Sequence, residues 1–207
     1  MSGHKIQSLN RAIHEGSQAM QEAARNNPYA EVFVRAIAFS HGARWHVADA
    51  RRIEDFVWPD LQAEGTTDLG EAFKLLSAQL QMPPMPERAL PPVVVLVSDG
   101  QPTDDYRTPL KRLLELPWGK KSVRIAIAIG QDADRNCLRE FIGHAELPPL
   151  EANNPDQLTR FIKWVSTVVV SSVSSPASRL DHNAGSLHVQ LPAAPQTVLL
   201  QDPNDVW

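Results

Sequence analysis

Two short segments carry oxygen-bearing side chains where a ligand can reach them. The first, Val93-Val94-Val95-Leu96-Val97-Ser98-Asp99-Gly100, runs an unbroken branched apolar stretch into a carboxylate and then a glycine. Such a stretch is the pattern of a strand covered on both faces. Asp99 therefore falls at a strand's carboxyl end, where open α/β sheets bind their ligands. A carboxylate there, followed by a Gly that frees the backbone, suits a hard divalent cation. The plainer alternative is a carboxylate capping the next loop. The second segment, Gly65-Thr66-Thr67-Asp68-Leu69-Gly70, is a turn feeding a helix. Thr67 in that place either offers its hydroxyl to a ligand or caps the helix.

Other polar residues offer less. The histidines (4, 14, 41, 46, 144, 182 and 188) form no i, i+4 pair, and none sits beside the one cysteine, so no zinc pattern arises. A lone Cys137 excludes an intramolecular disulfide and a Cys-rich metal site. It reads as a small buried helix residue. Lys111-Arg112 and Lys120-Lys121 read as solvated surface, and Trp45, Trp58, Trp118 and Trp164 as packing.

The elements that position these residues follow from periodicity. Ile6, Leu9, Ile13, Met20 and Ala24 recur at helical spacing over residues 5–24. A β-rich run over 31–40 closes at a His41-Gly42 turn, and 43–47 is a candidate partner strand. Leu69, Ala72, Phe73, Leu76 and Leu80 mark a second helix, which the proline-rich stretch 83–92 terminates. Beyond the 93–97 strand come a short helix over 109–115, a buried strand over 123–129 and a short helix over 134–143. Asn154 as N-cap and Pro155 at the first helical position open a long helix to about residue 172. Buried strands alternating with amphipathic helices point to an α/β fold, a doubly wound, mostly parallel sheet flanked by helices. Residues 1–173 read as this domain and 174–207 as an extended, partly disordered C-terminal arm. Within the arm, Leu187, Val189 and Leu191 alternate with polar neighbours, the pattern of one added strand with one covered face.

Composition sets the outer bounds. The chain has 207 residues, 43% hydrophobic and 21% charged, which is ordinary globular composition. Lys plus Arg is 20 against Asp plus Glu at 24, a net charge of -4 without a basic stripe. Nucleic acid is therefore a poor candidate partner. The apolar run 168–170 is far short of the ~20 residues of a membrane helix, and residues 1–5 lead into an amphipathic helix rather than a signal peptide. A cytoplasmic protein with no membrane partner is expected.

Taken together, the two oxygen-bearing segments resemble the von Willebrand factor type A (vWA) domain. Its metal-ion-dependent adhesion site combines a D-x-S-x-S loop after the first strand, a Thr in a G-x-T-x-L-G-like turn and an Asp in a strand-S-D-G loop. Thr67, followed by Leu69-Gly70, matches the threonine, and Asp99 matches the aspartate. The string Val97-Ser98-Asp99-Gly100-Gln101-Pro102-Thr103-Asp104-Asp105 looks especially like the bacterial vWA proteins related to tellurium-resistance TerY. The resemblance covers roughly residues 1–172. It implies Mg²⁺ as cofactor, Thr67 and Asp99 as metal ligands, and a non-enzymatic adaptor or scaffold. Relatives are often encoded with a protein phosphatase of the metal-dependent 2C type and a protein kinase, which implies a phosphorylation-linked stress-response or defence role.

The chain departs from the family pattern at its start. Met1-Ser2-Gly3 matches the stretch that follows D-x-S-x-S, so the first, central strand and its ligands are expected to be missing. Strands 31–40 and 93–97 would then flank a slot about 10 Å wide, with unpaired backbone groups on both sides. Four explanations compete: a start codon assigned too late, which ranks first, a degenerate gene, a strand from a partner, or a slot filled by the arm. The rival function is a phosphatase of the haloacid-dehalogenase type with Asp99 as nucleophile. That chemistry needs a second Asp two residues on as general acid, and position 101 is Gln. A nucleotide-binding domain lacks any G-x-G-x-x-G or P-loop. Residues 198–207, ending in Trp207, read either as a linear docking peptide or as a segment folded back on the domain.

Overall fold

The computed structural model describes residues 1, 3–27, 31–63, 65–144, 147–169 and 193–195. The arm strand expected over 187–191, the end of the last helix and the 198–207 segment lie outside the described residues.

Leu9, Ala12 and Ala24 form the buried stripe of α1 (Gly3–Arg25). Asn10 is buried on the same helix. Its side-chain carbonyl accepts from Trp58 Nε1 at 3.1 Å and Leu61 N at 2.9 Å, and its amide donates to Leu61 O at 2.9 Å. The helix is followed by an antiparallel hairpin, β1 (Phe33–Ser40) and β2 (Gly42–Arg52), which turns at Gly42 with φ +76°. The expected partner strand is longer than its apolar part. Arg51 and Arg52 pair back onto Val34 and Phe33 across register shifts, although their side chains are exposed and carry no alternating pattern.

Next come α2 (Leu69–Gln79), β3 (Val93–Ser98), α3 (Arg107–Glu115), α4 (Pro117–Lys121) and β4 (Val123–Ile129). The chain continues through α5 (Arg135–Ile142), β5 (Leu150–Ala152) and α6 (Pro155–Trp164), ending in a π-helical turn, Val165–Val169. Asn154 caps α6 as its sequence position suggests, accepting from Gln157 N at 2.9 Å, with Pro155 in the first turn. The strands β3, β4 and β5 form one parallel sheet in that order, with Val93 opposite Val123 and Ile127 opposite Leu150. Every residue of β4 is buried.

Helices cover both faces. On one side α1 and α6 pack on Val93, Val95 and Val97, so closely that a Cβ on Gly16 would meet Ile162 Cγ2 at 2.6 Å. On the other, α2, α3 and α5 pack over Val94 and Leu96, and Ile37 and Phe39 of β1 join the same core. Ala24 at the far end of α1 packs with Val34 and Ala36 on the opposite face of β1. Thus α1 and α2 each bridge the hairpin and the parallel sheet, on opposite faces.

The two sheets do not pair. Among the described residues β1 bonds only to β2, and β3 only to β4. In β3, Val93, Val94, Val95 and Val97 stay half-buried, whereas their β4 neighbours are fully enclosed. The Rossmann-like α/β fold is thus built from two sheets whose strands β1 and β3 each have a single partner strand among the described residues. No described helix is long and apolar enough to cross a membrane.

Candidate metal centre

Three loops meet at the carboxyl ends of β1 and β3. Ser40, the last residue of β1, accepts on its carbonyl from Asp68 N and from Thr66 Oγ1, both at 3.0 Å. The loop after β3 is stitched to the same turn. Thr103 N donates to Thr67 O at 3.0 Å, and Thr67 N donates to Thr103 Oγ1 at 3.0 Å. Asp134 N at the start of α5 donates to Gly100 O at 3.2 Å, so the end of β4 is tied in as well.

Asp68 is the knot of this network. Its carboxylate accepts from Gly42 N and Thr103 Oγ1, each at 2.7 Å, and lies 3.2 Å from Thr66 Oγ1. These donors, the Gly42 amide foremost, hold its pKa below the ordinary Asp value. A depressed folded-state pKa contributes stability that is present above the unfolded value and fades as pH falls through the folded one. We expect acid unfolding of the wild-type chain to include this loss below about pH 4. Asp68→Asn should flatten that part of the stability-versus-pH curve, read by urea unfolding at stepped pH. A parallel curve for the variant would show that the knot carries no pH dependence.

The helix cap is not where local sequence suggests. Asp68 occupies the N-cap position of α2 but makes no side-chain capping bond. The cap comes from the other loop: Asp104 accepts from Gly70 N at 2.9 Å and Glu71 N at 3.1 Å. This leaves Thr67 without capping duty, and its hydroxyl bonds to no described residue. That hydroxyl lies against the loop after β3, where a Cβ on Gly100 would meet Thr67 Oγ1 at 3.2 Å.

Asp99 follows β3 directly, 14% exposed, and draws cationic groups. The amine of Met1 lies 3.4 Å from Oδ1, and Lys5 Nζ lies 3.9 Å from Oδ2. Lys5 is also 3.9 Å from the exposed Asp132. Thr67 and Asp99, 32 residues apart in sequence, thus flank one Gly100 elbow at the sheet's carboxyl end. Thr103 and Asp104 were missed as positioning residues, because a cap supplied from 34 residues away leaves no local spacing to detect.

As a cation site the arrangement fits in kind and falls short in number. A hydroxyl and a carboxylate are the hard oxygens that Mg²⁺ takes, but octahedral Mg²⁺ has about six positions and needs several fixed. Among the described residues no three His, Cys, Asp or Glu converge. Cys137 is buried in the core with Leu138 and Phe141, and that burial pushes its thiol up to about 12.

Comparison with known proteins bears on this geometry. Residues 40–163 match the family model of the von Willebrand factor type A domain. Among solved structures, a von Willebrand factor type A protein from Catenulispora acidiphila is similar at TM-score 0.57 and 14% identity, over 78% of this chain and 38% of that one. Proximal thread matrix protein 1 from the mussel byssus, with a zinc-occupied MIDAS motif, is similar at TM-score 0.55 and 16% identity, over 79% of this chain and 43% of that one. The chain thus spans about two fifths of each, and at such identities the likeness is one of fold. No curated protein matches the sequence.

Proposed function

The chain belongs to the von Willebrand factor type A domain family, and on that premise we propose that it is a non-enzymatic protein-binding adaptor or scaffold working through the Thr67–Asp99 centre. Domains of this family typically mediate protein interactions, and many hold a divalent metal at the adhesion site. The observation that carries the reading is the Thr67 hydroxyl, relieved of capping by Asp104 and held against Gly100 beside Asp99. Thr67 and Asp99 would hold Mg²⁺. A cation with so few anionic ligands stays electrophilic and accepts an acidic side chain from a partner. The protein's own part is positional: Asp68, Thr103 and Asp104 fix the two ligand loops against each other.

The 97–105 string supports a place beside the TerY-like bacterial proteins. A cytoplasmic role in a phosphorylation-linked stress-response or defence system, with a 2C-type phosphatase and a kinase as partners, completes the proposal.

Two measurements test it. Calorimetric titration of the chain with Mg²⁺ should show weak binding, which Asp99→Ala and Thr67→Ala each remove, because two fixed ligands leave most of the shell to water. Tight stoichiometric binding that survives Asp99→Ala would remove the centre from the argument. Incubation with p-nitrophenyl phosphate and Mg²⁺ should give no turnover above buffer. Turnover lost in Asp99→Asn would instead make Asp99 a nucleophile and the chain a phosphatase.

A further inference from the structure

A cation of the chain's own already stands at the Asp99 carboxylate. Lys5 sits in the first turn of α1, where the neighbouring Ile6 and Leu9 pack with Val93, Val95 and Val97. That packing fixes the start of the helix beside the sheet and brings Lys5 to the carboxyl ends of β3 and β4. There Lys5 Nζ lies 3.9 Å from Asp99 Oδ2 and 3.9 Å from Asp132 Oδ2, the latter in the turn between β4 and α5. The two carboxylates differ in setting, Asp99 being 14% exposed and Asp132 85%. Lys5 itself is only 15% exposed, and a lysine is seldom so enclosed without a partner.

We infer that Lys5 is a built-in competitor for the divalent cation at the Thr67–Asp99 centre, and that Asp132 is the seat it takes when the cation enters. The inference rests on the reading of Asp99 as a ligand, and names the residue that sets how readily that ligand is given up. An ammonium and a metal ion on one carboxylate repel each other. At ~4 Å near a protein surface, two unit charges interact strongly enough to shift an equilibrium by about tenfold or more. A divalent ion at Asp99 must therefore push Nζ off Oδ2. Lys5 has a short way to go, because Asp132 Oδ2 already stands at the same 3.9 Å. Moving there keeps an ion pair while freeing Asp99, so Asp132 lowers the cost of the exchange. Asp132 acts through Lys5 and is a positioning residue. The Met1 amine faces the other oxygen, Asp99 Oδ1, at 3.4 Å. It is common to every variant compared below and cancels from the comparison.

Titration of the full chain with Mn²⁺, read as loss of the free ion's paramagnetic resonance signal, tests both halves. Lys5→Gln should tighten Mn²⁺ binding by ~tenfold or more, whereas Lys5→Arg keeps the charge and should leave it weak. Lys120→Gln is the control for net charge. That exposed lysine lies on α4, ahead of the amino end of β4 and so at the far end of the sheet, and its loss should change little. Asp132→Asn should weaken binding in the wild-type chain and change nothing in Lys5→Gln, where no ammonium needs the seat. Four results would each overturn the proposal. Equal affinities for Lys5→Gln and wild type would remove the competitor while leaving the Thr67–Asp99 centre standing. An equal gain from Lys120→Gln would reduce the effect to net charge. A loss on Asp132→Asn that persists beside Lys5→Gln would make Asp132 a ligand in its own right. No binding by any variant, Lys5→Gln included, would remove the metal centre together with its competitor.

Discussion

Replacing Arg124 with Leu should destabilise the protein by about 3–5 kcal/mol, counting two buried carbonyls left without a donor. Arg124 lies in the middle sheet strand, 7% exposed, and has no carboxylate partner among the described residues. Its guanidinium is instead dissolved in carbonyls. Nε donates to Phe141 O at 2.9 Å and Ile142 O at 3.2 Å, and Nη1 donates to Gly119 O at 2.8 Å and to Ser122 O and Oγ. These are the last carbonyls of α4 and α5, groups that a helix leaves unpaired and that carry its negative end. Burial pulls the Arg124 pKa below its ordinary value, yet a guanidinium remains charged at neutral pH. Leu fills much of the volume, but Phe141 O and Ile142 O lose their donor. Arg124→Lys should recover less than half the loss, because one ammonium cannot reach both helix ends as a planar fork does. Urea unfolding of the three proteins decides: a Leu variant as stable as wild type would mean water replaces the guanidinium.

The second large effect is Gly70→Ala, an ordinarily favourable change inside a helix. Here the added Cβ would lie 2.4 Å from Asp105 O and 2.8 Å from Asp104 Oδ2. The backbone oxygen cannot swing aside, so the 101–105 loop must retreat. Overpacking of this kind costs ~1–3 kcal/mol and a lost cap ~1 kcal/mol, against ~1 kcal/mol gained in helix propensity. A net loss of about 2 kcal/mol is expected, with a fall of several degrees in the thermal midpoint. The sharper consequence is at the site, since Asp104 and Thr103 travel together and Thr103 holds Thr67 on both its N–H and its C=O. Asp104→Ala removes the cap without the clash and should lose only ~1 kcal/mol. Equal midpoints for Gly70→Ala and wild type would show the loop yields freely.

What the sequence makes legible here depends on how local the cause is. Helix α1, strand β4 and the Asn154-Pro155 start of α6 are written in adjacent residues, so stripe, apolar run and cap can be read directly. Strand β5 has three residues and α4 five, too few for any period to register. The outer half of β2 is held by backbone pairing while its side chains face solvent, and alternation is absent there. At the site, Thr67 and Asp99 stand out because each sits in a short motif. The Asp104 cap and the Asp68 knot do not, because their distant partners lie 26 to 35 residues away. Local capping logic even points the wrong way, to Thr67.

The 65–70 turn touches the end of β1 through Ser40 and the loop after β3 through Thr103, so it joins the two sheets like a clasp over a seam. Its hydrogen bonds are short and directional, and they tolerate little change in the distance between those two strands. The separation of β1 from β3 and the separation of Thr67 from Asp99 are therefore a single mechanical coordinate. Whatever fixes the first selects the second, and thermodynamic reciprocity requires the converse. A ligand gripping Thr67 and Asp99 must tighten the hold of β1 on β3, by the same factor by which a fixed β1–β3 distance sharpens the grip on the ligand.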